Sequence, residues 1–177
     1  VRQTLLGTAD PLGGSQPNPT FGYGELDVGK AVNGPAQFNW GDVTVDFSGV
    51  SSWNNPSSGA GGLIKQGTGT LNLTQPSSYA GLTTVTGGSL NAVSLGAGGA
   101  SIGTAGTLAI TGTASASVPS IAGNVANAGA LVVGSSNLTV SGNYTQTGRL
   151  AVPLGSSLQV SGSASLTANA GLYVYGA

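Results

Sequence analysis

The chain has 177 residues, of which only 5% are charged and 39% hydrophobic, with a net charge of −1 and no His, Cys or Met. A typical soluble domain carries about 25% charged residues; this one has no basic surface for nucleic acid, no polybasic patch for anionic lipid, and no disulfide or thiolate-metal chemistry. All five acidic residues lie at or before Asp46, and beyond it the only charges are Lys65 and Arg149. Acid–base, metal-assisted and triad chemistries draw mainly on carboxylates, imidazoles or thiols, so the long C-terminal part reads as scaffold or binding surface. Its aliphatic residues recur at even spacing, which argues against disorder despite abundant Gly, Ser and Thr. Val1 reads as something other than a natural translation start, and no apolar run reaches ~18 residues.

From the N-terminus, Val1 to Ala9 reads as the last turns of a helix with Val1, Leu5 and Leu6 on one face, stopped by Asp10-Pro11-Leu12-Gly13-Gly14. Ser15 to Thr20, with two prolines, is a loop. Phe21 to Asp27 leads into a short helix, Val28 to Val32, that ends at Asn33-Gly34-Pro35. This α/β punctuation, residues 1–37, does not recur.

The character changes at Phe38. Asp42-Val-Thr-Val-Asp46-Phe47 alternates with period two, as a half-buried strand should. The pattern Gly-x-Leu then begins at Gly69, Gly88, Gly106, Gly129 and Gly148, at intervals of 19, 18, 23 and 19, with a looser match at Gly171 23 further on. Secondary strands, Asn137 to Ser141 and Ser157 to Ser161, are 20 apart. A period near 20 with short strands and Gly/Ser/Asn turns predicts the coils of a right-handed parallel β-helix over 38–177, a mainly β fold of six or seven coils. A β-sandwich also uses many short strands, but does not require the repeating interval. Leu71, Leu73, Leu90, Leu108, Ile110, Leu131, Val133, Leu150 and Val152 are the expected inward residues. Stacking at about 4.8 Å also explains the charge gap, since like charges that close repel by ~1 kcal/mol in water and ~3.5 kcal/mol at an effective dielectric of 20.

Two stretches resemble known families. Val1-Arg-Gln-Thr-Leu-Leu-Gly-Thr-Ala-Asp10-Pro-Leu-Gly13 is similar to the helix and turn after the catalytic serine helix of subtilisin-like proteases, although Asp10-Pro11 replaces the usual Thr-Asp. Phe21-Gly-Tyr-Gly-Glu-Leu-Asp-Val-Gly-Lys-Ala-Val32 resembles the stretch that closes the subtilase domain. Gly62 to Thr74, then Tyr79 to Leu90, resembles the passenger-associated transport repeat of bacterial autotransporters, and Gly142 to Thr147 with Leu158 to Ala164 resembles a late passenger region. The resemblance thus covers about 1–32, 62–92 and 142–166, and it implies a subtilase-type autotransporter. On it, 1–37 is the incomplete C-terminal end of a protease domain and 38–177 a passenger β-helix, with a transport repeat at about 62–92 and an autochaperone-like end at about 143–177. The implied partners are an upstream protease domain and a downstream outer-membrane β-barrel of the same polypeptide, and the outer-membrane assembly machinery. The implied location is the surface or exterior of a Gram-negative bacterium. The triad of that family lies upstream of the first match, so no catalytic, cofactor or metal residue carries over, and no cofactor is expected. An adhesin or other surface-interaction passenger without a protease is the alternative.

Other candidates have plainer readings. Glu25 and Asp27 are the one close carboxylate pair, read as a helix-start acid and a solvated neighbour. A β-helical glycosidase would usually need two opposed carboxylates, which the coils after Asp46 lack. Asn72-Leu-Thr74, Asn137-Leu-Thr139 and Asn143-Tyr-Thr145 fit the glycosylation acceptor pattern, but ladder hydrogen bonding is the expected role. The Thr-x-Thr pairs 68/70, 111/113 and 145/147 are too unevenly spaced for one in-register adhesive or ice-binding row. Trp40 and Trp53 flank the first coil and are expected to cap the stalk.

Overall fold

A computed structural model describes residues 1–112, 118–134 and 137–176. It begins with two short helices, α1 (Arg2–Gly7) and α2 (Val28–Ala31), and every named element after them is a strand. Those strands are β1 (Val43–Asp46), β2 (Val50–Trp53), β3 (Leu63–Gln66), β4 (Thr70–Leu73), β5 (Thr83–Ala92), β6 (Ala100–Ile110), β7 (Ser120–Ile121), β8 (Val125–Asn127), β9 (Ala130–Val133), β10 (Leu138–Val140), β11 (Tyr144–Gln146), β12 (Arg149–Pro153), β13 (Leu158–Val160), β14 (Ala164–Leu166) and β15 (Gly171–Tyr175). All of their pairings are parallel. The chain is therefore a parallel β-solenoid of about six turns.

Each coil contributes to three walls. One runs β1-β3-β5-β6-β8-β11-β14. A second runs from β2 through β4, the later halves of β5 and β6, and β9, β12 and β15. The third, β7-β10-β13, is extended by the bridges Leu95–Ile121 and Ser57–Ser77.

The Gly-x-Leu repeat has a direct structural cause. Its leucines form one continuous inward row, Leu71–Leu90–Leu108–Leu131–Leu150–Leu172. From Leu71 to Leu150 the row reproduces the sequence intervals; the last step is 22 residues, so the match at Gly171 is offset by one from the expected alignment. The glycine is required by close approach: a Cβ at Gly129 would lie 2.1 Å from the Gly103 carbonyl oxygen, and one at Gly148 would lie 2.2 Å from that of Gly129. All nine residues expected to face inward are buried. Fully burying such a side chain contributes about 1.5–3 kcal/mol, and repetition along the row makes this the dominant stabilising term.

The helices match their expected positions but not their expected packing. Val1 is 97% exposed and Leu5 is also exposed, whereas Gly7 and Thr8 are buried against the start of the stalk. Gly7 sits against Gln37, where a Cβ would come within 3.0 Å of the Gln37 backbone nitrogen. The small side rather than the apolar side of α1 thus meets the coil.

Candidate functional site

The junction between residues 1–37 and the first coil is held by backbone-directed amides. Asn54 and Asn55 both donate their backbone N–H to the Asn33 carbonyl, at 2.8 and 3.3 Å. The Asn55 side-chain amide donates to the carbonyls of Gly34, at 2.6 Å, and Lys30, at 2.8 Å. Those two acceptors lie in the last turn of α2 and just beyond it, and the Lys30 carbonyl also accepts the Asn33 N–H at 3.0 Å. Between the strands and this clamp lies Trp53, whose ring fills the space above Gly34. That residue has φ of +90°, and a Cβ there would be 2.5 Å from Trp53 Cγ. Trp53 is also in register with Leu73 of the next coil, so it caps the inward rows. Trp40 lies nearer α1: its indole N–H donates to the Tyr23 hydroxyl at 3.3 Å, its ring meets Tyr23 edge-on, and Arg2 lies 5.7 Å from its ring centroid. Both tryptophans occupy the junction where capping was expected.

Asp27 is the N-cap of α2, accepting the Lys30 backbone N–H at 2.8 Å. That bond, with the Lys30 ammonium 3.1 Å away, holds its carboxyl below the usual range. Lys30 also pairs with Asp10, which raises the lysine's pKa. Glu25 and Asp10 exchange backbone hydrogen bonds at 2.8 and 2.9 Å. The acidic pair is therefore helix capping and turn structure, with no opposed carboxylate arrangement.

Asn72 and Asn143 act as ladder groups. Asn72 donates to Ser52 and accepts from Asn91, which stands in register on the next coil. Asn124 accepts the Asn143 backbone N–H, and Asn143 accepts that of Ser163. Asn137 is exposed just before β10. Thr70 and Thr145 lie on different walls, and Thr113 of the third pair lies outside the described residues. Two adjoining shallow grooves of about 200 and 490 Å³ cross the first wall and share Ser101, Ala126 and Thr145. They carry no charged or aromatic lining. Among the described residues no three His, Cys, Asp or Glu side chains cluster as a metal site would need.

Sequence reasoning missed an inward row that is partly polar: Val45–Lys65–Val85–Ile102–Asn127–Gln146–Leu166. Lys65 is fully buried, its ammonium bonded to the carbonyls of Gln66 at 2.5 Å and Gly67 at 3.3 Å, and 5.0 Å from the Phe47 ring centroid. Burial lowers its pKa, partly offset by the charge of Asp46. Further along, the Tyr144 hydroxyl donates to Gln146 at 2.8 Å, Asn127 donates to Tyr144 and to the Arg149 carbonyl, and Gln146 donates to the Gly171 carbonyl at 2.7 Å. The detectable signal was phase: Lys65, Asn127 and Gln146 each stand two residues after an inward Leu63, Val125 or Tyr144.

A parallel solenoid with small-residue corners and a buried Leu row defines the architecture, and comparison with known proteins shows what the chain is similar to. The passenger-associated-transport-repeat family model matches residues 63–92. Over 94 residues, 51% of this chain, the sequence is 48% identical to the Neisserial autotransporter lipoprotein NalP of Neisseria meningitidis serogroup B. It is 37% identical over 73 residues, 41% of the chain, to Serotype-specific antigen 1 of Mannheimia haemolytica. The matched segments span only 9% and 8% of those two relatives. The repeat and this homology support an autotransporter passenger β-helix.

Proposed function

We propose that the chain is the non-catalytic stalk of a secreted, surface-displayed subtilisin-like serine protease of the autotransporter type. Residues 38–177 present the protease domain, whose C-terminal end is 1–37, and support its translocation across the outer membrane and its folding there. The observation that carries this reading is the contrast across the junction. Residues 1–37 leave Val1, Leu5, Leu12, Phe21, Leu26, Val28 and Val32 exposed, while a directed clamp ties α2 to a stalk with its own packed core. Exposed apolar side chains on that scale mark a surface that packs against something, and the subtilase resemblance names the body. Export suits the stalk, because few charges leave the unfolded chain easy to thread and the absence of Cys leaves it free of disulfide crosslinks. Each completed coil offers a template for the next, removing part of the nucleation cost of parallel pairing. The relatives, an autotransporter lipoprotein and an antigen of Gram-negative bacteria, support a surface or extracellular location.

The parent reading frame provides the test. Upstream Asp, His and Gly-Thr-Ser motifs and a downstream array of ten-residue alternating strands are expected. A parent without the upstream motifs overturns the protease reading and leaves a surface-interaction passenger. The fragment itself should neither hydrolyse casein nor react with a fluorophosphonate probe, since a triad needs its base; stoichiometric labelling of one serine would refute this.

A further inference from the structure

Of all the asparagines in the chain, only Asn33 is followed by glycine. The pairing matters chemically, because the backbone nitrogen of the following residue can attack the asparagine amide carbon, and glycine has no Cβ to hinder that approach. Here every group the reaction uses is tied up in the junction. The Gly34 N–H, the nucleophile, donates to the Ala31 carbonyl at 3.2 Å. The Asn33 side-chain amide donates to the Gly29 carbonyl at 2.9 Å, and its oxygen accepts the Asn54 side chain at 3.2 Å. The carbonyl between the two residues accepts the backbone N–H groups of Asn54 and Asn55, and the Asn55 side chain holds the Gly34 carbonyl. Gly34 is buried against Trp53, whereas Asn33 is only half-buried and within reach of water.

We propose that Asn33–Gly34 is a gated self-modification site, stable while the clamp is closed and converted to aspartate or isoaspartate when it opens. In the closed state the amide carbon cannot swing onto the Gly34 nitrogen without breaking the bonds to Gly29 and Asn54. Once the junction opens, the Gly34 nitrogen attacks Asn33 Cγ. The N–Cγ bond forms, the Cγ–Nδ2 bond breaks, and Nδ2 leaves as ammonia with the proton of the Gly34 N–H. Water then hydrolyses the cyclic imide at one carbonyl or the other, giving the two acids. Either product opposes reclosure. An aspartate has no proton for the Gly29 carbonyl, and isoaspartate lengthens the backbone by one atom where Asn54 and Asn55 converge. Conversion thus turns a reversible opening into a lasting one. The contacts are all internal to the chain, so the device does not rest on the protease reading.

Ageing the purified 177-residue chain at mildly alkaline pH, with peptide mass mapping of the amide-to-acid change, tests this. Folded wild type should convert at Asn33 at least about tenfold more slowly than the same chain in concentrated urea, because reaction waits on local opening. Asn55→Ala removes the side-chain bonds to Lys30 and Gly34 without touching the reacting groups. It should speed conversion by about tenfold or more while the circular dichroism of the solenoid is retained. Tryptophan emission should move to the red in step with conversion, as Trp53 loses its contact with Gly34. Asn33→Asp should show that shift without ageing. Equal wild-type rates with and without urea would overturn the proposal, and so would an Asn55→Ala chain that ages no faster than wild type. Conversion that leaves the emission unchanged would equally overturn it, by showing that the modified junction closes again.

Discussion

The middle and the last coil of the solenoid carry the same residue types in the same rows, yet Leu108 is 0% exposed and Leu172 is 61% exposed. The difference is neighbours: Leu108 lies between Leu90 and Leu131, whereas Leu172 has Leu150 alone. In a stacked repeat a side chain's contribution is set by how many coils flank it as much as by its own chemistry. The first coil is intermediate, because Trp53 and the asparagine clamp substitute for the coil that does not precede it.

Leucine truncation separates the two positions most widely. Leu108→Ala is expected to cost about 2–5 kcal/mol, from lost transfer energy plus the cavity, and Leu172→Ala only about 0.5 kcal/mol, as at a surface site. Urea unfolding of each variant against wild type measures both; equal costs would remove the idea that flanking coils set the value. At the clamped end, Gly34→Ala combines a left-handed backbone with a 2.5 Å approach to Trp53. It should cost about 1–3 kcal/mol and shift tryptophan emission to the red as the cap opens. Unchanged emission and stability would show that Trp53 does not close that end. Gln146→Ala leaves the Tyr144 hydroxyl and the Gly171 carbonyl without their partner, at about 1–3 kcal/mol. That loss should appear in thermal unfolding, and a neutral result would place water, rather than Gln146, at the centre of the network.

The smallest effect is a pH slope. Lys65 has a native pKa below its ordinary 10.5 because burial disfavours the ammonium. The unfolded chain then binds more protons between the two values, so unfolding free energy rises with pH through that window toward 10.5. Tyr79, pushed up to about 12 by burial, acts oppositely above pH 10, but it is common to wild type and Lys65→Met and cancels in their difference. Wild type should therefore gain on Lys65→Met as pH climbs toward 10.5. Parallel curves would mean that the ammonium stays hydrated.

Much of this was legible in the chain because a solenoid writes its coil length directly into the sequence. The glycine column and the leucine row share one period, so Gly129-Ala-Leu131 and Gly148-Arg-Leu150 reveal both the corner and the inward face. What was hidden depends on contacts that no period encodes. Nothing in the repeat singles out Asn54 and Asn55, and only the fold brings them onto Asn33 and Gly34. Lys65 stands beside the polar run Gln66, Gly67 and Thr68, which gives no hint of burial, although its phase with Leu63 points it inside. The apolar stripe of α1 was visible, but the coil takes its Gly7 side instead.

The parallel register underlies every one of these arguments, and spin-label distances test it most directly. Thr44, Ala126, Thr145 and Ser165 belong to one outward row of the first wall, and a chain without Cys accepts paired labels cleanly. With unlabelled protein added to dilute intermolecular pairs, distances from position 44 to 126, 145 and 165 should increase in equal steps. At ~4.8 Å per coil the expected backbone separations are roughly 19, 24 and 29 Å. Distances that fail to rise in that order, or that fold back between 126 and 165, would contradict the parallel solenoid.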